Sequence, residues 1–127
     1  MHPLLGNWQL IEARAFDETG QAMPSPFGPQ PIGIVRFEAE RMAGVVADGR
    51  PDLPPGSPPR AFFSYTGRYE FNGERLVTHV DGASSPDGFA DQVRQVTFQG
   101  LDRMVVVPLS RVLDRSSGLE LTWERVG

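Results

Sequence analysis

Three side chains have the types needed for chemistry on a carbonyl-bearing molecule: His79, Tyr65 and Arg94. An imidazole exchanges protons near neutral pH without a large shift. A phenol, with a resting pKa of about 10, serves first as a hydrogen-bond donor. A guanidinium stabilises developing oxyanion charge. Around one cavity the three would polarise a carbonyl and move a proton. Other chemical templates are missing. His79 is the only histidine away from the extreme N-terminus, too few for a zinc site. With no Cys there is neither a thiolate ligand, a cysteine nucleophile nor a disulfide. All 12 basic residues are Arg, which excludes a lysine Schiff base and a P-loop lysine. No Gly-x-Ser-x-Gly elbow or phosphate-cradling glycine loop occurs. Asp81, Asp87 and Asp91 cluster in one region, but their spacing fits no calcium loop, and they read as loop-capping residues. Neither a metal nor a cofactor is expected.

Positioning such groups falls to short elements. Gly 14 and Pro 12 make up about a fifth of the 127 residues, against an ordinary share of roughly 12%. So many breakers argue for strands joined by turns and against a helical bundle. Eight strands are predicted, over residues 7–16, 32–38, 41–47, 61–71, 74–81, 92–99, 101–107 and 118–126. Tight turns fall at Glu38-Ala39-Glu40, at Asn72-Gly73 and at Gly100. Long loops fall over 17–30, 48–59, 82–91 and 108–117, the second carrying Pro51, Pro54, Pro55, Pro58 and Pro59. In an up-and-down arrangement, all tight turns then lie at one end and all long loops at the other. The expected fold is all-β: a single eight-stranded antiparallel up-and-down barrel over 1–127, with a closed floor and a loop-ringed mouth. A two-sheet sandwich is the alternative, but only closure removes the exposed strand edges. The first and last strands both reach the floor, which brings Trp8 beside Arg125 as a structural seal.

The Asn72-Gly73 turn decides which face His79 takes. A two-residue type I′ turn pairs Thr66 with His79 and groups His79 with Ser64 and Arg68 on a polar face. A type I turn plus G1 bulge shifts the parity by one and turns Tyr65 to the side of His79.

Charge narrows the partners. Net charge is −4, and the Arg residues are scattered among 16 acids without a basic stripe. Nucleic acid and anionic membrane are therefore not expected partners. The start lacks a signal-peptide pattern and no run suits a spanning helix, which reads as a cytoplasmic protein.

The ordered motifs resemble the small bacterial lipocalin-like domain family of the calycin superfamily. The matching segments are Leu5-Gly6-Asn7-Trp8-Gln9-Leu10, Gly33-Ile34-Val35-Arg36-Phe37, Tyr65-Thr66-Gly67-Arg68-Tyr69, His79 in its strand, Pro86 with Gln92-Val93-Arg94, and Trp123-Glu124-Arg125. Phe37 stands where the family usually has Tyr, and Ala90 stands where it usually has Gly between the Pro and the Gln-x-Arg, with slightly shorter spacing. The resemblance implies a barrel with an internal cavity and favours the bulged register with His79 inward. Related barrels carry apolar small molecules, and some act as cofactor-free cyclases or isomerases.

The expected function is binding of a small, largely apolar or amphipathic molecule in the barrel. Candidate contacts are Phe37, Met42, Phe63, Tyr65, Tyr69, His79 and Arg94, with an acidic or carbonyl group on the ligand meeting Arg94 and His79. The alternative is a cofactor-free isomerase, cyclase or hydratase. There His79 shuttles a proton while Tyr65 or Arg94 stabilises the oxyanion. A third reading is a barrel packed by its own Phe and Met, serving a protein partner. A homodimer through the outer wall is compatible with each.

Overall fold

A computed structural model describes residues 3–109 and 118–126. Buried and exposed residues alternate along its strands. In β3 (Pro31–Phe37), Val35 and Phe37 are buried while Ile34 and Arg36 face out. This period of two marks a strand with one face in a core. The same alternation recurs along much of β1 (Gly6–Phe16), β4 (Arg41–Asp48, whose last three residues are all buried), β5 (Phe62–Phe71), β6 (Arg75–Ala83), β7 (Gln92–Phe98), β8 (Arg103–Pro108) and β9 (Leu119–Val126). These eight strands pair antiparallel with their neighbours, and β1 pairs with β9 to close the barrel. Two short elements were not anticipated. A two-residue strand, β2 (Ala22–Met23), folds back on the end of β1, and a 3-10 turn covers Pro86–Phe89. The β1–β2 turn forms because the Asp17 carboxylate accepts from the Thr19 and Gln21 amides. Of the fourth long loop, residues 110–117 lie outside the described residues.

The floor is sealed where the chain ends meet. Gly6, at a φ of 115° that favours glycine, turns the chain into β1 beneath Arg125. Trp8 is fully buried and its indole N–H donates to the Leu4 carbonyl at 2.9 Å. The Arg125 guanidinium lies 4.2 Å from the Trp8 ring centroid. It also donates to the carbonyls of Pro3 (2.7 Å), Leu101 (3.2 Å) and Leu5.

The mouth is tied at the proline loop after β4. The buried Asp48 carboxylate takes two hydrogen bonds from the Arg50 side chain, at 2.6 and 3.0 Å. That partner holds its carboxyl below the usual carboxylate range. From the far end of the loop, Arg60 donates to the Asp48 carbonyl at 2.7 Å and to the carbonyls of Arg50 and Pro51.

The β5–β6 connection takes neither expected form. Phe71 pairs with Leu76 and the Asn72 amide donates to the Arg75 carbonyl at 3.2 Å, so an even number of residues, 72–75, separates the paired positions. The Asn72 side-chain oxygen accepts from the Glu74 and Arg75 amides at 2.9 and 2.7 Å. An even loop keeps the parity of the two-residue turn, and His79 pairs with Arg68. The bulge lies higher, between Thr66 and Gly67. There the β6 backbone closes on Gly67, whose missing Cβ would strike the His79 carbonyl oxygen. That contact explains why the Tyr65-Thr66-Gly67-Arg68-Tyr69 segment carries a glycine.

Candidate functional site

The barrel holds a cavity of about 230 Å³. Its lower wall is apolar. Phe37 and Met42 come from the floor ends of β3 and β4, and Trp123 and Leu121 from β9. Phe63 and Tyr65 from β5 line the upper wall, their rings stacked with centroids 5.3 Å apart. Alternation explains the set: 63 and 65, 121 and 123 are same-face pairs on one strand each.

Arg94 is the charged member. On β7 it sits opposite Leu76 on one side and Pro108 on the other, the third residue from the mouth end of its strand. It is only 7% exposed and lines the cavity. Its Cζ lies 4.7 Å from the Tyr65 ring centroid, so one face of the guanidinium rests on the phenol ring. Its Nη1 is buried and has no hydrogen-bond partner among the described residues. Among the described residues, the cavity lining contains no Asp or Glu.

His79 does not face this cavity, which corrects the inward placement expected of it. It is on the outer face of β6, its side chain about half exposed, between Glu70 (Nε2 to carboxylate, 2.8 Å) and Asp91 (Nδ1 to carboxylate, 3.0 Å). Those two carboxylates, Glu70 first, raise its pKa above the ordinary histidine value. The reason for the outward turn is the even loop at Asn72. The proposed trio is therefore split: Tyr65 and Arg94 meet inside, and His79 stands behind the wall.

Tyr69 also lies away from the cavity lining. It packs edge-on against Phe37, with centroids 5.2 Å apart, and its hydroxyl donates to the Glu38 carbonyl at 2.5 Å. Burial raises its pKa. This phenol fastens the β3–β4 turn. The acidic cluster is engaged too. Arg41 donates to Asp81 at 2.6 Å, Thr66 donates to it at 2.8 Å, and Asp91 meets His79. The Asp87 side chain lies outside the described residues.

Several lining residues were not singled out as contacts from sequence, among them Gln92, Trp123 and Phe27. Gln92 is two residues before Arg94 and Trp123 two before Arg125, spacings that put each on the inner face of its strand. Phe27 is an aromatic within a loop of breakers, and that isolation was its signal.

A larger depression of about 570 Å³ runs outside the barrel past Ile34, Val45 and Ser64, but it is an open trough rather than a cup. No helix among the described residues is long and apolar enough to cross a membrane. The family model of the lipocalin-like domain matches residues 5–126. No curated protein matches the chain.

Proposed function

The chain belongs to the lipocalin-like domain family, and from that premise we propose that it binds a small, largely apolar molecule inside the barrel. Barrel domains of this kind suggest small-molecule binding in general. The observation that carries the proposal is the cavity inside the barrel, which Phe37, Met42, Phe63 and Trp123 line without filling. A packed barrel would have closed that space, since protein interiors tolerate few voids larger than a water molecule. At about 230 Å³ it lies just below the ~300–1,000 Å³ range of typical ligand pockets, which suits a compact ligand.

The enzymatic alternative keeps Tyr65 and Arg94 as groups able to stabilise an oxyanion, but it loses its proton shuttle to the outer face. Among the described lining residues, no imidazole or carboxylate takes that place. This favours binding over isomerisation, cyclisation or hydration.

The test is a filled cavity. Val106 is buried and lines the cavity, so Val106→Phe places bulk inside it. Uptake of a neutral apolar probe such as octanol is followed by the fluorescence of the lining Trp123. Binding in the wild type and its loss in a folded Val106→Phe variant is the expected result. Unchanged binding in that variant would place the ligand elsewhere, and no binding to the wild type would sink the proposal.

A further inference from the structure

We infer that the ligand is a compact monocarboxylic acid, held with its carboxylate on Arg94 at the mouth side and its apolar tail toward Trp123 and Met42. The inference rests on the cavity-binding reading above and names the class of molecule that the cavity takes.

A guanidinium carries five N–H donors in a planar fork. Buried charges in proteins are ordinarily paired and hydrogen-bonded. Arg94 departs from that rule: it is 7% exposed and, among the described residues, its Nη1 has no partner and the lining around it contains no acid. Tyr65 covers a face of the guanidinium and leaves its edge as the hydrogen-bonding surface. A carboxylate lying in that plane can accept two parallel N–H bonds and cancel the charge at once. A neutral ligand behaves differently. An alcohol or hydrocarbon entering the cup would exclude water from the lone cation without supplying a countercharge. A ketone would supply an acceptor but no charge.

Orientation follows from height on the strands. Arg94 pairs with Pro108, the last residue of β8 before the mouth loop. The apolar lining lies below it, ending at Phe37 and Met42 above the sealed floor. The acid enters tail first. Its headgroup stops at Arg94, where Gln92, two residues nearer the mouth, offers a further amide donor.

Isothermal titration tests this with octanoate and phenylbutyrate, each against the alcohol of the same carbon skeleton. The wild type is expected to prefer each acid by at least tenfold, about 1.4 kcal/mol. Arg94→Leu is expected to erase that preference while still binding the alcohols. Arg94→Gln, neutral and polar, gives the same comparison should the leucine variant fold poorly. Equal affinities for acid and alcohol in the wild type overturn the inference and leave cavity binding intact. So does an acid preference that survives both substitutions. Binding of neither acid nor alcohol overturns the inference together with the function it rests on.

Discussion

Removing Arg125 tests how much the floor contributes to the barrel. Its guanidinium stacks 4.2 Å above a fully buried indole, an attraction of about 1–2 kcal/mol in such a setting. It also donates to the carbonyls of Pro3, Leu5 and Leu101, each bond contributing a net ~0.5–1.5 kcal/mol. The side chain is 28% exposed, so the lower half of those ranges applies. Arg125→Ala is therefore expected to cost about 3 kcal/mol. With unfolding entropy of about 2.1 cal/mol/K per residue, a chain of this length loses ~4 °C of Tm per kcal/mol, hence about 12 °C. Arg125→Lys separates the contributions. A lysine keeps a cation over Trp8, but one ammonium cannot reach three carbonyls, so about half the loss is expected to remain. Thermal and urea unfolding followed by far-UV circular dichroism would measure both. An Arg125→Ala variant melting within ~4 °C of the wild type would refute the sealed floor, because it leaves under about 1 kcal/mol for the whole cluster.

Three other outcomes follow from the geometry. Gly67→Ala would press a methyl group on the His79 carbonyl and is expected to cost about 1–3 kcal/mol in urea titration, as overpacking does; neutral behaviour would contradict the bulge. Arg94→Leu without ligand is expected to melt higher by about 4 °C, since removing a buried guanidinium whose Nη1 has no partner among the described residues outweighs the lost stack on Tyr65; a lower Tm would mean that Arg94 is already satisfied in the free protein. His79, with its pKa raised by Glu70 and Asp91, contributes stability that is fully present below the unfolded value of about 6.5 and fades as pH rises through the raised folded value. The Tm gap between wild type and His79→Ala should therefore be widest near pH 6 and vanish at high pH, while octanoate affinity stays unchanged; a widening gap at high pH would contradict the ion pairs.

Strand positions were legible because their signals are local. Alternation along 31–37 and at the start of 41–48 and the breakers between them are readable without knowing what packs against what. The seal of Trp8 and Arg125 was also within reach, because barrel closure brings both chain ends to one end of the molecule. The face of His79 was not. It depends on whether the Asn72 loop has an even or odd number of residues, and the dipeptide Asn72-Gly73 suits both. The side-chain acceptor of Asn72, reaching two amides, settled it with an even number of residues, 72–75, between the paired positions. The isolation of Arg94 is a non-local fact of another kind. A sequence shows which acids exist, but which of them approach a given guanidinium emerges only when every inner face is assembled. Tyr69 shows the converse: its phenol looked like a ligand contact, and its hydroxyl is spent on the Glu38 carbonyl.

The most direct test of the account is to locate a bound acid by NMR. With carbon-labelled octanoate, nuclear Overhauser contacts from the chain should reach the Met42, Val106 and Leu121 methyl groups inside the barrel. Contacts confined to Ile32 and Ile34 on the outer wall, or none at all, would contradict it.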